Sequence, residues 1–387
     1  QIKTTIISYM SNEALEEANV IFEQTSGTID VNSPHKVPLA GNMLTSGVHS
    51  DFDLGITSQL ADGGRYSVTI SAFDKAGNPV NITPINDVFF DLLPPMLSLS
   101  APESGLHINS PTVSYSTSEE MGKGRMVFTR TGGKEDPKSP YDIELTGVRL
   151  KQGEHYSESF DSDIQLKDGS VYTIEFSGED IAGNIAVNVS IENIFYDTSV
   201  PEIIVSNPES NGYYNPIILN YSLNEPLFSG KIRFEYTGGI SDPMSPHVVD
   251  LAGNQLTAGQ KTGIDINDLM GLVSNASYKV IIIGVDLAGN EGKSEEMTSV
   301  TYDNISPVIG ITSPVAESYI NNTVLGLKTN EVLSSAHVLW TWVEGSEDLV
   351  GSHESKLVGD QLQDGIYPEV DFNLPPTLIS GAKYKVE

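Results

Sequence analysis

The pentapeptide Asp74-Lys75-Ala76-Gly77-Asn78 returns as Asp180-Ile181-Ala182-Gly183-Asn184 and again as Asp286-Leu287-Ala288-Gly289-Asn290, each time 106 residues further on. The same interval relates Pro95, Pro201 and Pro307, then Tyr66, Tyr172, Tyr278 and Tyr384, then Glu13, Glu119, Glu225 and Glu331. Four independent marks in one register mean a row of equivalent folded units. A unit of this length is large enough to bury its own core. The 387 residues divide into four modules: 1–93, 94–199, 200–305 and 306–387. The first is expected to lack strand A, and the fourth to stop within strand F.

Inside a module, turn residues recur every 8 to 15 positions, and the stretches between them alternate apolar with polar. That is the pattern of short antiparallel strands with one wet face. In module two it predicts strand A at 96–100, B at 111–117, C at 124–130, D at 141–145, E at 156–166, F at 171–177 and G at 185–195. Seven strands in about a hundred residues make an all-β, immunoglobulin-like sandwich. Leu60-Ala61-Asp62-Gly63-Gly64-Arg65-Tyr66 and Leu166-Lys167-Asp168-Gly169-Ser170-Val171-Tyr172 stand just before strand F, where such sandwiches carry a tyrosine corner. Phe22, Phe128, Phe234 and Trp340 share one column on strand C and are expected in the core, against Val113 or Leu219 of strand B. Each such burial is worth about 1.5 to 3 kcal/mol. End to end, the units would form an elongated rod on the order of 150 Å long.

The strand pattern, the Asp-x-Ala-Gly-Asn hairpin and the junctions Tyr196-Asp197-x-x-x-Pro201 and Tyr302-Asp303-x-x-x-Pro307 together resemble bacterial Ig-like repeats of large cell-surface proteins and adhesins. The first junction departs from this, reading Phe90-Asp91-Leu92-Leu93-Pro94-Pro95. The resemblance implies display, spacing or adhesion outside a cell. It names no partner.

Strand order places the B–C, D–E and F–G loops at the end of each module that meets its predecessor. Three acidic columns converge there: the junction residues Asp91, Asp197 and Asp303; Glu119, Glu225 and Glu331 after strand B; and the hairpin Asp180 and Asp286, followed by Asn184 and Asn290. Carboxylate and amide oxygens gathered from separate loops are the hard donors that Ca²⁺ takes, six to eight per ion. One Ca²⁺ per junction is therefore expected, although Asp-x-Ala-Gly-Asn is also good hairpin chemistry in its own right. A second acidic column, Asp30, Asp136, Asp242 and Asp348 in the C–D loop, is a secondary candidate at the opposite end of the module.

A formal charge of −31 excludes a nucleic-acid binder that works by neutralising phosphate. The absence of cysteine removes thiolate chemistry and disulfide frameworks. No apolar run is long enough to span a bilayer, so the fragment is not expected to insert in a membrane. No His-Glu-x-x-His, phosphate-cradling Gly-rich loop or Gly-x-Ser-x-Gly elbow occurs, and an enzyme is not expected. His35, His247 and His353 share a column, where module two has Tyr141, and read as turn residues. Trp342 stands in a column with Gln24, Arg130 and Tyr236; it reads as half-covered, with stacking on a sugar ring or packing on a neighbouring chain as the alternatives.

The leading expectation is a non-enzymatic extracellular spacer whose neighbours are further repeats of the same chain, with lateral self-association or a surface glycan or protein receptor as other partners. The alternatives are a self-assembling subunit of a surface layer, sheath or filament, and the accessory region of a secreted polysaccharide-active enzyme.

Overall fold

The computed structural model describes residues 1–80, 82–266 and 271–387. In module two the chain forms strand A (Leu97–Ala101), a short A′ (His107–Ile108), B (Thr112–Thr117), C (Met121–Gly133), a fourth strand (Tyr141–Leu145), E (Gly153–Ser159), F (Ser170–Asp180) and G (Val189–Tyr196). They build two sheets, E-B-A and a five-stranded sheet ending in C-F-G-A′. Strand F shows why: buried and half-buried residues alternate along it, so Tyr172, Ile174 and Phe176 enter the core while their neighbours face outward.

The fourth strand corrects the expected topology. It pairs with strand C, from Phe128↔Tyr141 to Gly124↔Leu145, and not with E, so it is C′ and not D. The tight C–C′ turn returns the chain beside C, and Ile143 and Leu145 then join the core from that side. The predicted E strand ends early as well. Phe160 and Ile164 are four residues apart and both are buried, with Ile164 N bonding Phe160 O, so residues 160–164 make a turn that plugs the core. Strand G starts at Val189; before it, Ile185 forms only an isolated bridge with Glu179.

The same architecture recurs. Strand C runs Leu15–Gly27 in module one and Leu227–Gly239 in module three, in register with Met121–Gly133, and module four has His337–Gly345. Each module has its own core cluster. Phe22, Phe128, Phe234 and Trp340 are all at most 2% exposed, as their column predicts. In module one, strand B (Ile6–Ser11) pairs with E (Gly47–Asp53) alone. Among the described residues no helix is long and apolar enough to cross a membrane.

The tyrosine corner explains the C–C′ acids. Tyr66, Tyr172, Tyr278 and Tyr384 each accept a hydrogen bond from the backbone N–H five residues earlier, at 2.8 to 3.0 Å. Each then donates its hydroxyl to the acid of the C–C′ loop: Asp30, Asp136, Asp242 and Asp348 respectively. These carboxylates are 5 to 8% exposed and committed to the module's own loop, so they are not seam ligands. His35, His247 and His353 are correspondingly not free turn residues. Each places Nε2 2.6 Å from the same carboxylate oxygen. In module two Tyr141 donates to Asp136 instead, at 3.3 Å. Burial works against the Asp30 charge, but the bonds from Tyr66 and His35 outweigh it and hold its pKa below the ordinary value. Burial and the Asp30 carboxylate push the Tyr66 hydroxyl up to about 12.

Two further columns acquire meaning only in three dimensions. Gln24, Arg130, Tyr236 and Trp342 differ chemically, yet each donates a hydrogen bond to a carbonyl at the end of strand C or just past it: Gln24 to Thr28 O, Arg130 to Lys134 O, Tyr236 to Gly239 O, and the Trp342 indole N–H to Ser346 O at 2.9 Å. Trp342 is half-buried there. His49 and His155 also form a column, stacked on Tyr9 and Tyr115 with centroids 4.7 and 4.5 Å apart.

Candidate metal centres at the module seams

Each junction aspartate closes strand G of one module. Asp91 N donates to Ile2 O and Asp197 N to Ile108 O, both at 2.9 Å, which fixes the linker to the A′ segment of the module it leaves. The side chain then caps the following turn, accepting from Leu93 N at 3.3 Å or Ser199 N at 3.0 Å. The hairpin aspartate comes from the next module. Asp180 Oδ1 accepts Asn184 N at 2.8 Å, and Asp286 Oδ1 accepts both Ala288 N and Asn290 N at 2.8 Å.

The fold brings these groups together as the loop argument predicts. Asp91, Glu119 and Asp180 offer carboxylate oxygens that all lie within 4.8 Å of one another, and so do Asp197, Glu225 and Asp286. Asp180 and Asp286 are each 1% exposed. Burial pushes the Asp91 carboxyl above its usual range, with Asp180 and Asp62 adding repulsion. Glu119 is raised by burial and then by Asp91, Asp180 and Asp62; Glu225 by burial and then by Asp197 and Asp286. Each triad is a set of hard oxygen donors with no nitrogen or sulfur ligand, which suits Ca²⁺.

Two expected donors have another task. Asn184 Nδ2 donates to Asp91 O at 2.9 Å and Asp180 Oδ2 at 2.8 Å, and Asn290 Nδ2 makes the same pair of bonds to Asp197 O and Asp286 Oδ2. Both acceptors are oxygens, so the amide must present nitrogen to them. These asparagines clasp the linker to the hairpin. At the third junction Asp303 and Glu331 join no third acid among the described residues. Glu331 Oε1 is a buried atom without a hydrogen-bond partner, and Asp303 Oδ1 accepts from Ser274 Oγ at 3.2 Å.

A fourth acid in the first two seams was missed. Asp62 Oδ1 accepts Leu92 N at 2.7 Å, and Asp168 Oδ1 accepts Thr198 N at 2.8 Å, so the E–F turn of the departing module grips the linker. Those bonds and Lys134 draw the Asp168 carboxyl down to about 2. The signal lay in the Leu-x-Asp-Gly-x-x-Tyr motif, whose aspartate reads from sequence as a turn residue beside the tyrosine corner. Ser274 takes its place at the third junction and accepts Asn304 N at 3.0 Å.

No protein-family model matches the chain, and no curated protein matches it. Among solved structures, a tetra-tandem repeat in the extending region of a large adhesion protein is 16% identical, with a TM-score of 0.27, over 96% of this chain and 88% of that one. The FN1-FN3 domains of chicken CNTN1 are 12% identical, with a TM-score of 0.31, over 78% of this chain and 96% of that one. The assignment as tandem immunoglobulin-like sandwiches rests on the strand order described above.

Proposed function

We propose that this chain is a non-enzymatic extracellular spacer of an adhesin-type surface protein, in which Ca²⁺ held at the seams stiffens one module against the next. The observation that carries the reading is the recurrence of a three-carboxylate cluster, Asp91, Glu119 and Asp180, then Asp197, Glu225 and Asp286, at consecutive seams. In each, one acid belongs to the linker leaving one module and two belong to loops of the next. An ion held by all three would tie the modules together, whereas a site inside one sandwich would stabilise that sandwich alone. The histidines support the non-enzymatic part: His35, His247 and His353, the first buried and the others half-buried, bond structural carboxylates, and two more stack on tyrosines.

An ion that binds only the folded seam adds stability by mass action, about 2.7 kcal/mol at a hundred times the dissociation constant. The test is a pair of thermal melts with Ca²⁺ and with chelator, together with small-angle scattering under both conditions. A higher melting temperature and a longer maximum dimension with Ca²⁺ are expected, both diminished in Asp197→Ala and Asp286→Ala. Identical melts and scattering with and without Ca²⁺ would remove the stiffening role.

A further inference from the structure

We propose that strand C′ of module three (His247–Leu251) is an edge through which two copies of this chain pair antiparallel, continuing one sheet into the other. A free strand edge invites pairing unless it is bent, charged or covered. The outer strands A and E carry register breaks in their pairing with strand B in modules two, three and four, and the F–G ladders break in modules one to three. The four C–C′ ladders run without a break. Among the described residues, C′ is thus the regular outer edge of each module.

What separates module three from the others is the first of the two residues, Val248 and Asp250, that this strand leaves exposed. Lys36, Asp142 and Glu354 occupy the column in modules one, two and four, where a charge guards the edge. Module three has Val248, 50% exposed, and the turn leading into the strand adds exposed Ile240 and Met244.

Charge complementarity identifies the occupant as a second copy. Arg233 lies cross-strand from Val248, and its buried Nε has no partner; its ion pair with Glu235, through Nη2, is long at 3.6 Å. A two-fold axis through Val249 sets Val248 opposite Asp250 of the second copy, bringing that carboxylate toward Arg233. The surroundings permit the approach. Lys231 pairs across the strands with Asp250, Lys279 stands between Glu235 and Glu296, and Lys293 pairs with Glu291, so local charges balance on a chain that carries −31. The same pairing in module two would oppose Asp142 to Glu144.

Sedimentation velocity of the full chain across a concentration series, in Ca²⁺ and in chelator, tests this. A concentration-dependent dimer is expected in both. Val248→Asp reproduces the module-two residue at an outward position and so should fold, with an unchanged melting temperature. It sets two like-charged pairs across the dimer and should weaken it on the order of tenfold or more. Arg233→Glu and Asp250→Arg should each weaken the dimer, and the double variant should restore it. A wild-type chain that stays monomeric throughout, or a Val248→Asp variant that dimerises as well as wild type, would overturn the proposal.

Discussion

Asn184 donates a hydrogen bond from Nδ2 to the carbonyl oxygen of Asp91 at 2.9 Å, joining the hairpin of module two to the linker that leaves module one. Asn78 holds the equivalent place in module one, where among the described residues its side-chain amide bonds Asp74 alone, at 2.6 Å, on an exposed hairpin. The hairpin therefore forms by turn chemistry alone, and the seam recruits it. Asn184→Ala should lower the unfolding free energy by about 1 to 3 kcal/mol, because it strands a buried carbonyl and a buried carboxylate oxygen. Asn78→Ala should cost clearly less; urea denaturation of the two variants makes the comparison.

The seam acids give the ion-free chain a pH dependence of definite sign. Asp91, Glu119 and Glu225 have folded pKa values above the ordinary carboxylate range, so the folded state binds more protons than the unfolded one. Stability from these groups is complete below the ordinary carboxylate value near 4 and is lost as pH rises through the raised values. In chelator, the melting temperature should rise as pH is lowered from 7.5 toward 5. The Glu119→Gln, Glu225→Gln double variant should flatten that rise.

The tyrosine corner can be compared between modules. In module two, Asp136 Oδ2 accepts from Tyr172, whereas in module three Asp242 Oδ2 is shared by Tyr278 and His247. Tyr172→Phe strips that oxygen of its side-chain donor and should cost about 2 to 3 kcal/mol. Tyr278→Phe leaves the imidazole in place and should cost less. Chemical denaturation that ranks the two in the opposite order would contradict the account.

A bulge in strand E supplies another test. Asp51, Ser157 and Gly263 share a column with positive φ of 59°, 49° and 70°. Each donates its backbone N–H to a strand-B side chain: Ser8 Oγ at 3.0 Å, Ser114 Oγ at 2.9 Å and Asn220 Oδ1 at 2.7 Å. Ser114→Ala removes the acceptor of an amide that the bulge has taken out of the ladder, and should destabilise module two by about 1 to 2 kcal/mol. Ser114→Asn, which copies module three, should recover part of the loss in the same denaturation assay.

Much of this fold was legible in the sequence because its signals are short-range. Alternation along strand F, the glycine and asparagine of the hairpin, and the aromatic column of strand C each report a residue's own burial or backbone conformation, and the interval multiplies every signal. The two acidic clusters were legible for a related reason: once strand order is known, loop position follows from counting. What stayed hidden depended on which partner a group chose. The acid of the C–C′ loop looks the same in sequence whether it faces a neighbour or a tyrosine 36 residues away, and the structure chooses the tyrosine.

By itself, then, the sequence determined the repeat, the strand content and the carboxylates that share a seam, since periodicity and turn chemistry act within a few residues. Only the tertiary structure decided that the fourth strand joins C, that Asn184 and Asn290 turn nitrogen and not oxygen toward the linker, and that Asp62 and Asp168 reach across to hold it. Each of those is a competition among hydrogen-bond partners far apart in the chain, and it is settled by which acceptors packing brings within reach.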